Sequence, residues 1–160
     1  MSDFAKSWQL SRGRLVAEVQ DLNQEQLSYR IHENSLSAGE AVVHVVGVEV
    51  WFVSQLNKDE LSGELAKIAQ CATEGVVNSN PFPYSSSELT PEFIKWALDT
   101  GAEYIGSYIE NPSAEFLAGE LKSALGPMIS GEGALTRFAF HPAYHQGQIY
   151  LCKTAPDFPK

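Results

Sequence analysis

At 160 residues, 44% apolar and 19% charged, the chain has the length and composition of one globular domain, residues 1–160. Its formal charge of −9 repels phosphate backbones and no basic stripe offsets it, which excludes nucleic acid as a main partner. "MSDFAKSWQLSRGRL" lacks the apolar core of a signal peptide, and the apolar stretch Ala41 to Val53, broken by His44 and Glu49, is too short to cross a bilayer.

Cys71 and Cys152 are two lone thiols without framework spacing, as suits a reducing compartment, so a cytoplasmic location with no membrane partner is expected. Helical periodicity then dominates. From Asp3 to about Asp21 the apolar residues Phe4, Trp8, Leu15, Val19 and Leu22 recur at helical spacing, with Asp3 as candidate N-cap. "DLNQEQLSYRIHENSLS" is polar and aperiodic and reads as a connection. Ser37 and Glu40 form a capping box that announces a second helix, Ala38 to about Leu56. Its many valines disfavour helix slightly, but the length is wrong for a strand.

A short helix is expected within Lys58–Gln70, followed by a loop rich in Pro, Ser and Asn. Thr90-Pro91 starts a third long helix that runs to Glu110, buries Phe93, Ile94, Ala97, Leu98, Ile105 and Ile109, and stops at Asn111-Pro112. Residues 113–133 read as a glycine-bearing crossover with a short helix near Glu115 to Leu121. The fourth long helix runs from about Gly133 to Cys152. The expected fold is all-α: a four-helix bundle with a long crossover connection between its third and fourth helices.

"TRFAFHPAYHQGQIYLC" carries two of the four histidines, His141 and His145. Residues four apart on a helix share a face, with Cβ atoms roughly 6 Å apart, so both rings can address one cation. The spacing is not that of a zinc protease, because the glutamate base is missing. Phe138, Ile149 and Cys152 lie on the same face, which makes it a buried one. Buried imidazoles without a partner are costly, so a metal or a hydrogen bond must answer them. His44 stands alone among valines in "AVVHVVGVEVWF" and faces the interior too. His32, beside Glu33, reads as solvated.

"SLSAGEAVVHVVGVEVWF" and "FAFHPAYHQGQIYL" resemble the second-helix pattern and C-terminal signature of the DinB/YfiT-like superfamily, in matching order along essentially the whole chain. The resemblance implies a bundle that holds a divalent metal, commonly nickel or zinc, through His44, His141 and His145. It also implies frequent homodimers and, in some relatives, thiol-dependent S-transferase or isomerase activity with bacillithiol, mycothiol or glutathione. Pro142 departs from the pattern. It removes the helical hydrogen bond to the Phe138 carbonyl and is expected to bend the helix, with consequences for where His141 points.

Three imidazoles leave coordination positions open, as in catalytic sites. A thiol there is deprotonated and nucleophilic, giving transfer to an electrophile; a water activated in the same place gives a hydrolase instead. Gln148 and Glu40 are candidates to hold a histidine's second ring nitrogen. Glu49, about 140° around the helix from His44, is read as structural. Cys152 lies about 10.5 Å along the axis from His145 and is read as a buried structural thiol. Trp51 and Tyr144 read as packing residues, and Arg137 is the one cation near the ligands that could hold an acidic thiol. The alternative to a small-molecule enzyme is a non-catalytic metal-binding or stress-associated protein, or a bundle whose histidines only hydrogen-bond.

Overall fold

A computed structural model describes residues 1–160 as seven helices and one two-stranded hairpin. The chain is all-α, 61% helix. Its four long helices are α1 (Asp3–Val19), α3 (Ala38–Asn57), α5 (Pro91–Glu110) and α7 (Gly131–Lys153). Shorter elements join them: α2 (Gln24–Ser28), α4 (Gly63–Gln70), α6 (Ala114–Ala118), and the antiparallel strands β1 (Glu120–Lys122) and β2 (Met128–Ser130). Helix α1 packs along α7, and α3 packs against α4, α5 and α7.

Helix starts follow local chemistry. Ser37 accepts from the Glu40 amide at 3.2 Å while the Glu40 carboxylate accepts from the Ser37 amide at 2.8 Å, so both halves of the capping box form. Thr90 caps α5 ahead of Pro91. Helix α1 differs from expectation: Ser2, not Asp3, is its cap, accepting from the Ala5 amide at 3.1 Å. Asp3 sits inside the first turn, where its charge suits the helix dipole. The supposed connection after α1 contains α2, whose own capping box joins Asn23 and Gln26. The segment between α5 and α7 holds α6 and the hairpin, whose register pairs Leu121 with Ile129. Gly126, at φ +112, supplies the backbone conformation that its turn needs.

Helix α3 organises the core. Every residue from Ala38 to Val50 is buried, as expected for a helix apolar on all sides. By length and composition it could cross a bilayer, but 83% of its apolar window is covered by the rest of the fold. The unbroken 20-residue helix is longer than the stretch Ala41 to Val53 that the apolar run alone delimits. Its side chains enter both apolar clusters, one centred on its valines with Leu15 and Ile68, the other on Phe52 with Phe138 and Ile105. Of the residues expected in the α5 core, Phe93 is only half-buried.

Glu49 is the most demanding group in that core, at 1% exposure. Trp8 Nε1 donates to its Oε1 at 2.8 Å, and the Arg12 guanidinium pairs with its Oε2. Arg12 Nη2 also donates to the Leu98 carbonyl at 2.8 Å, so one buried cation ties α1, α3 and α5 together. At the far end of α1, Glu18 accepts from Gln146 at 3.0 Å and pairs with Lys153 at 2.7 Å, which fixes α7 against α1.

Removing one partner of a buried pair leaves an uncompensated charge. Arg12→Met is therefore expected to destabilise the fold by about 3–5 kcal/mol in urea denaturation. The double variant Arg12→Met/Glu49→Leu is expected to recover most of that loss.

Candidate functional site

Three of the four histidines meet between α3 and α7. His44 and His145 are buried, His141 is half-buried, and one ligand atom from each lies within 4.8 Å of the others. Ring centroids are 4.9 Å apart for His44 and His141, 5.0 Å for His44 and His145, and 4.6 Å for His141 and His145. Each pair is nearly perpendicular, so the rings stand edge to face around a common point.

The helical spacing delivers His141 and His145 to one side of α7, as four-residue separation requires. Helix α7 continues through Pro142, which is itself buried, and His141 keeps its place in the cluster. Phe138, Ile149 and Cys152 are buried on that side of the helix.

His44 is oriented from behind. Its Nδ1 lies 2.7 Å from the Cys71 carbonyl. A carbonyl only accepts, so Nδ1 carries the proton and Nε2 of the neutral ring carries the lone pair. The expected partner, Glu40, is committed elsewhere: it closes the capping box and pairs with Arg30. What lets Cys71 come so close is Gly47, one turn beyond His44. A Cβ at Gly47 would stand 2.5 Å from the Ile68 carbonyl and 2.9 Å from the Ala72 amide, so only glycine lets the end of α4 lie against α3.

The α7 pair is left open by comparison. His141 Nε2 and His145 Nε2 face each other at 3.0 Å. Both Nδ1 atoms are buried and have no hydrogen-bond partner. Gln148 stands close enough to His145 to favour its protonated form slightly, but makes no hydrogen bond with its Nδ1.

Burial keeps all three rings neutral. It is the largest cause of the lowered pKa at each, taking His141 to about 2 and His145 to about 3. The neighbouring imidazoles add to this at His141, and His44 adds to it at His145. At His44 the Cys71 carbonyl opposes burial. Three neutral rings with clustered lone pairs form a donor set for a borderline cation such as zinc or nickel. Imidazoles bound at about 2.0–2.1 Å put their nitrogens about 2.8–3.4 Å apart for angles between octahedral and tetrahedral, so the 3.0 Å separation of the His141–His145 pair fits.

Beside the cluster opens a cavity of about 770 Å³, floored by α3 and α7 and bordered by the 31–38 segment, the 76–77 turn and the hairpin tip at 123–125. Arg137, Gln148 and Cys152 line it. Cys152 is 7% exposed and its thiol pKa is raised by burial, in keeping with a structural thiol. Cys71 is also buried, its thiol pushed up to about 12. Tyr144, expected to be a packing residue, is half exposed at the cavity edge, and His32 is exposed there. Trp51 is half-buried and packs against both core clusters.

Arg12, Gly47 and the Cys71 carbonyl are the contributors that sequence reasoning missed. Arg12 fills the seven-residue gap between Trp8 and Leu15 in the α1 stripe, and a glycine in mid-helix signals close backbone approach; both were readable.

Gly47→Ala is expected to push the end of α4 away and break the His44–Cys71 bond. Overpacking of this kind costs about 1–3 kcal/mol, and loss of an orienting partner weakens metal affinity about 10–100-fold. Thermal melts and competitive metal titration read the two effects. The metal-free protein is also expected to lose stability in acid. Above the unfolded pKa of 6.5 neither state binds these protons. Below it the unfolded chain takes them up while folded His141 and His145 do not, until pH reaches about 2–3. Stability therefore falls as pH drops from 6.5 to 3, because the unfolded chain binds protons that the folded one does not. Urea midpoints of the metal-free protein across that window, beside His141→Gln, check it.

No family model, curated protein or solved structure matches this chain; what the histidine cluster can do follows from its own geometry.

Proposed function

We propose that the protein is a divalent-metal-dependent enzyme of the DinB/YfiT-like type, a four-helix bundle with a long crossover between α5 and α7. His44, His141 and His145 hold one cation, nickel or zinc, and the reaction is transfer of a small thiol to an electrophile. A cytoplasmic homodimer is part of the same reading.

The observation that carries it is the pair of Nε2 atoms at 3.0 Å beside a third histidine whose tautomer leaves Nε2 free. When bound, a divalent cation supplies Lewis acidity that lowers the pKa of a thiol or water presented to it. The chain does the rest. The Cys71 carbonyl holds His44 in the donor tautomer. Burial keeps the three rings unprotonated, so protons compete little for their lone pairs. No carboxylate lines the cavity, so a proton lost by a substrate thiol goes to solvent or to the exposed His32 on its border. Arg137, on the cavity wall, is the one Lys or Arg there that an acidic group of a substrate would meet.

One observation favours a second reading. A separation of 3.0 Å is also that of an ordinary N–H···N hydrogen bond between His141 and His145. That bond answers two nitrogens and gives His44 Nε2 no partner, while both buried Nδ1 atoms stay unpaired in either reading. The metal reading gives all three Nε2 atoms a common partner, and is preferred for that reason.

Elemental analysis of protein purified without a histidine tag separates the two. Wild type is expected to carry close to one equivalent of nickel, zinc or a similar ion, and His145→Ala to lose most of it. Comparable metal in both identifies surface binding. Metal in neither leaves the hydrogen-bonded pair.

A further inference from the structure

The lining of the cavity selects a class of ligand. Pockets of this volume enclose most of a small molecule. The chain carries 20 acidic residues, yet none of the 26 that line the cavity is Asp or Glu. The one Lys or Arg among them is Arg137. It makes a single hydrogen bond, from Nη1 to the Gly133 carbonyl at 3.1 Å, and pairs with no carboxylate. Its remaining donors are uncommitted.

Apolar exposure converges on the same place. Eleven large hydrophobic side chains are exposed, and six border this cavity: Ile31, Val77, Leu125, Phe140, Tyr144 and Leu151. Scattered exposed apolar residues need no explanation, but a rim of them around a concave site does. The apolar surface continues inward to Val48, Phe52 and Ile149, beyond the reach of a flat protein partner.

We infer that the cavity takes an apolar small molecule with a single anionic head, its body against the rim and inner wall, its head toward Arg137 and the histidines. This rests on the proposed function in taking the cavity as the substrate pocket. A hydrophilic thiol leaves these walls uncovered, so the apolar body belongs to the molecule the thiol meets. A cationic ligand finds no carboxylate and is repelled by Arg137.

The test is calorimetric titration of n-alkanoates from butanoate to decanoate, and of n-alkylamines of equal length, into wild-type protein stripped of metal by chelation. Alkanoate affinity is expected to rise about fourfold per methylene until the cavity is filled. Amines of equal length are expected to bind at least about tenfold more weakly. Arg137→Gln narrows the gap between acids and amines. Leu125→Asp, at a position 81% exposed where folding is not at risk, weakens every alkanoate. Affinity that does not change with chain length, or amines as tight as acids, overturns the inference. A chain-length ladder in a protein that purifies without metal leaves it standing and removes the metal reading. Stoichiometric metal with no ladder does the reverse.

Discussion

A helix buried on every side must find a partner inside the protein for each polar group it carries, and α3 carries three large ones. Glu40 is answered by the Ser37 amide and Arg30, His44 by the Cys71 carbonyl, and Glu49 by Trp8 and Arg12. Each answer comes from a different element, so meeting these demands recruits the segment before α3, the end of α4, and α1. An unanswered group of this kind costs several kcal/mol, comparable with a domain's whole stability. The arrangement around α3 is accordingly a set of obligations, and the apolar packing fills in around them.

The two histidines of α7 stand in contrast. Their Nδ1 atoms are buried too, yet nothing in the protein answers them. The fold satisfies Glu49, with its charge, completely and leaves neutral imidazoles short. A cation at the facing Nε2 atoms leaves those Nδ1 atoms unanswered, so what favours a metal is the Nε2 separation and the neighbouring His44 ring, not the orphaned atoms.

How much of this was legible depends on range. Ser37 with Glu40, and Thr90 with Pro91, announce their helices because a cap is a bargain between residues three apart. The pair His141 and His145 is legible for the same reason, and His44 stands out against its valines. Helix α2, five residues long, was lost in a polar stretch where no apolar period can develop, and three-residue strands are too short to alternate. The partner of His44 was illegible in a deeper sense. Any residue at position 71 offers the same carbonyl, so the side chain there says nothing about the bond. Glu40 looked suitable from its spacing, but Arg30, ten residues earlier, already holds it.

The cavity divides the labour of the molecule. Its floor, with the imidazoles, belongs to two helices locked into the core, whereas much of its border comes from three loop segments that are largely exposed or half-buried. Residues 31–35, 76–77 and 124–125 can therefore drift in sequence, altering which molecules are admitted, while the grip beneath stays unchanged. Descendants of such a chain would diversify in diet sooner than in chemistry.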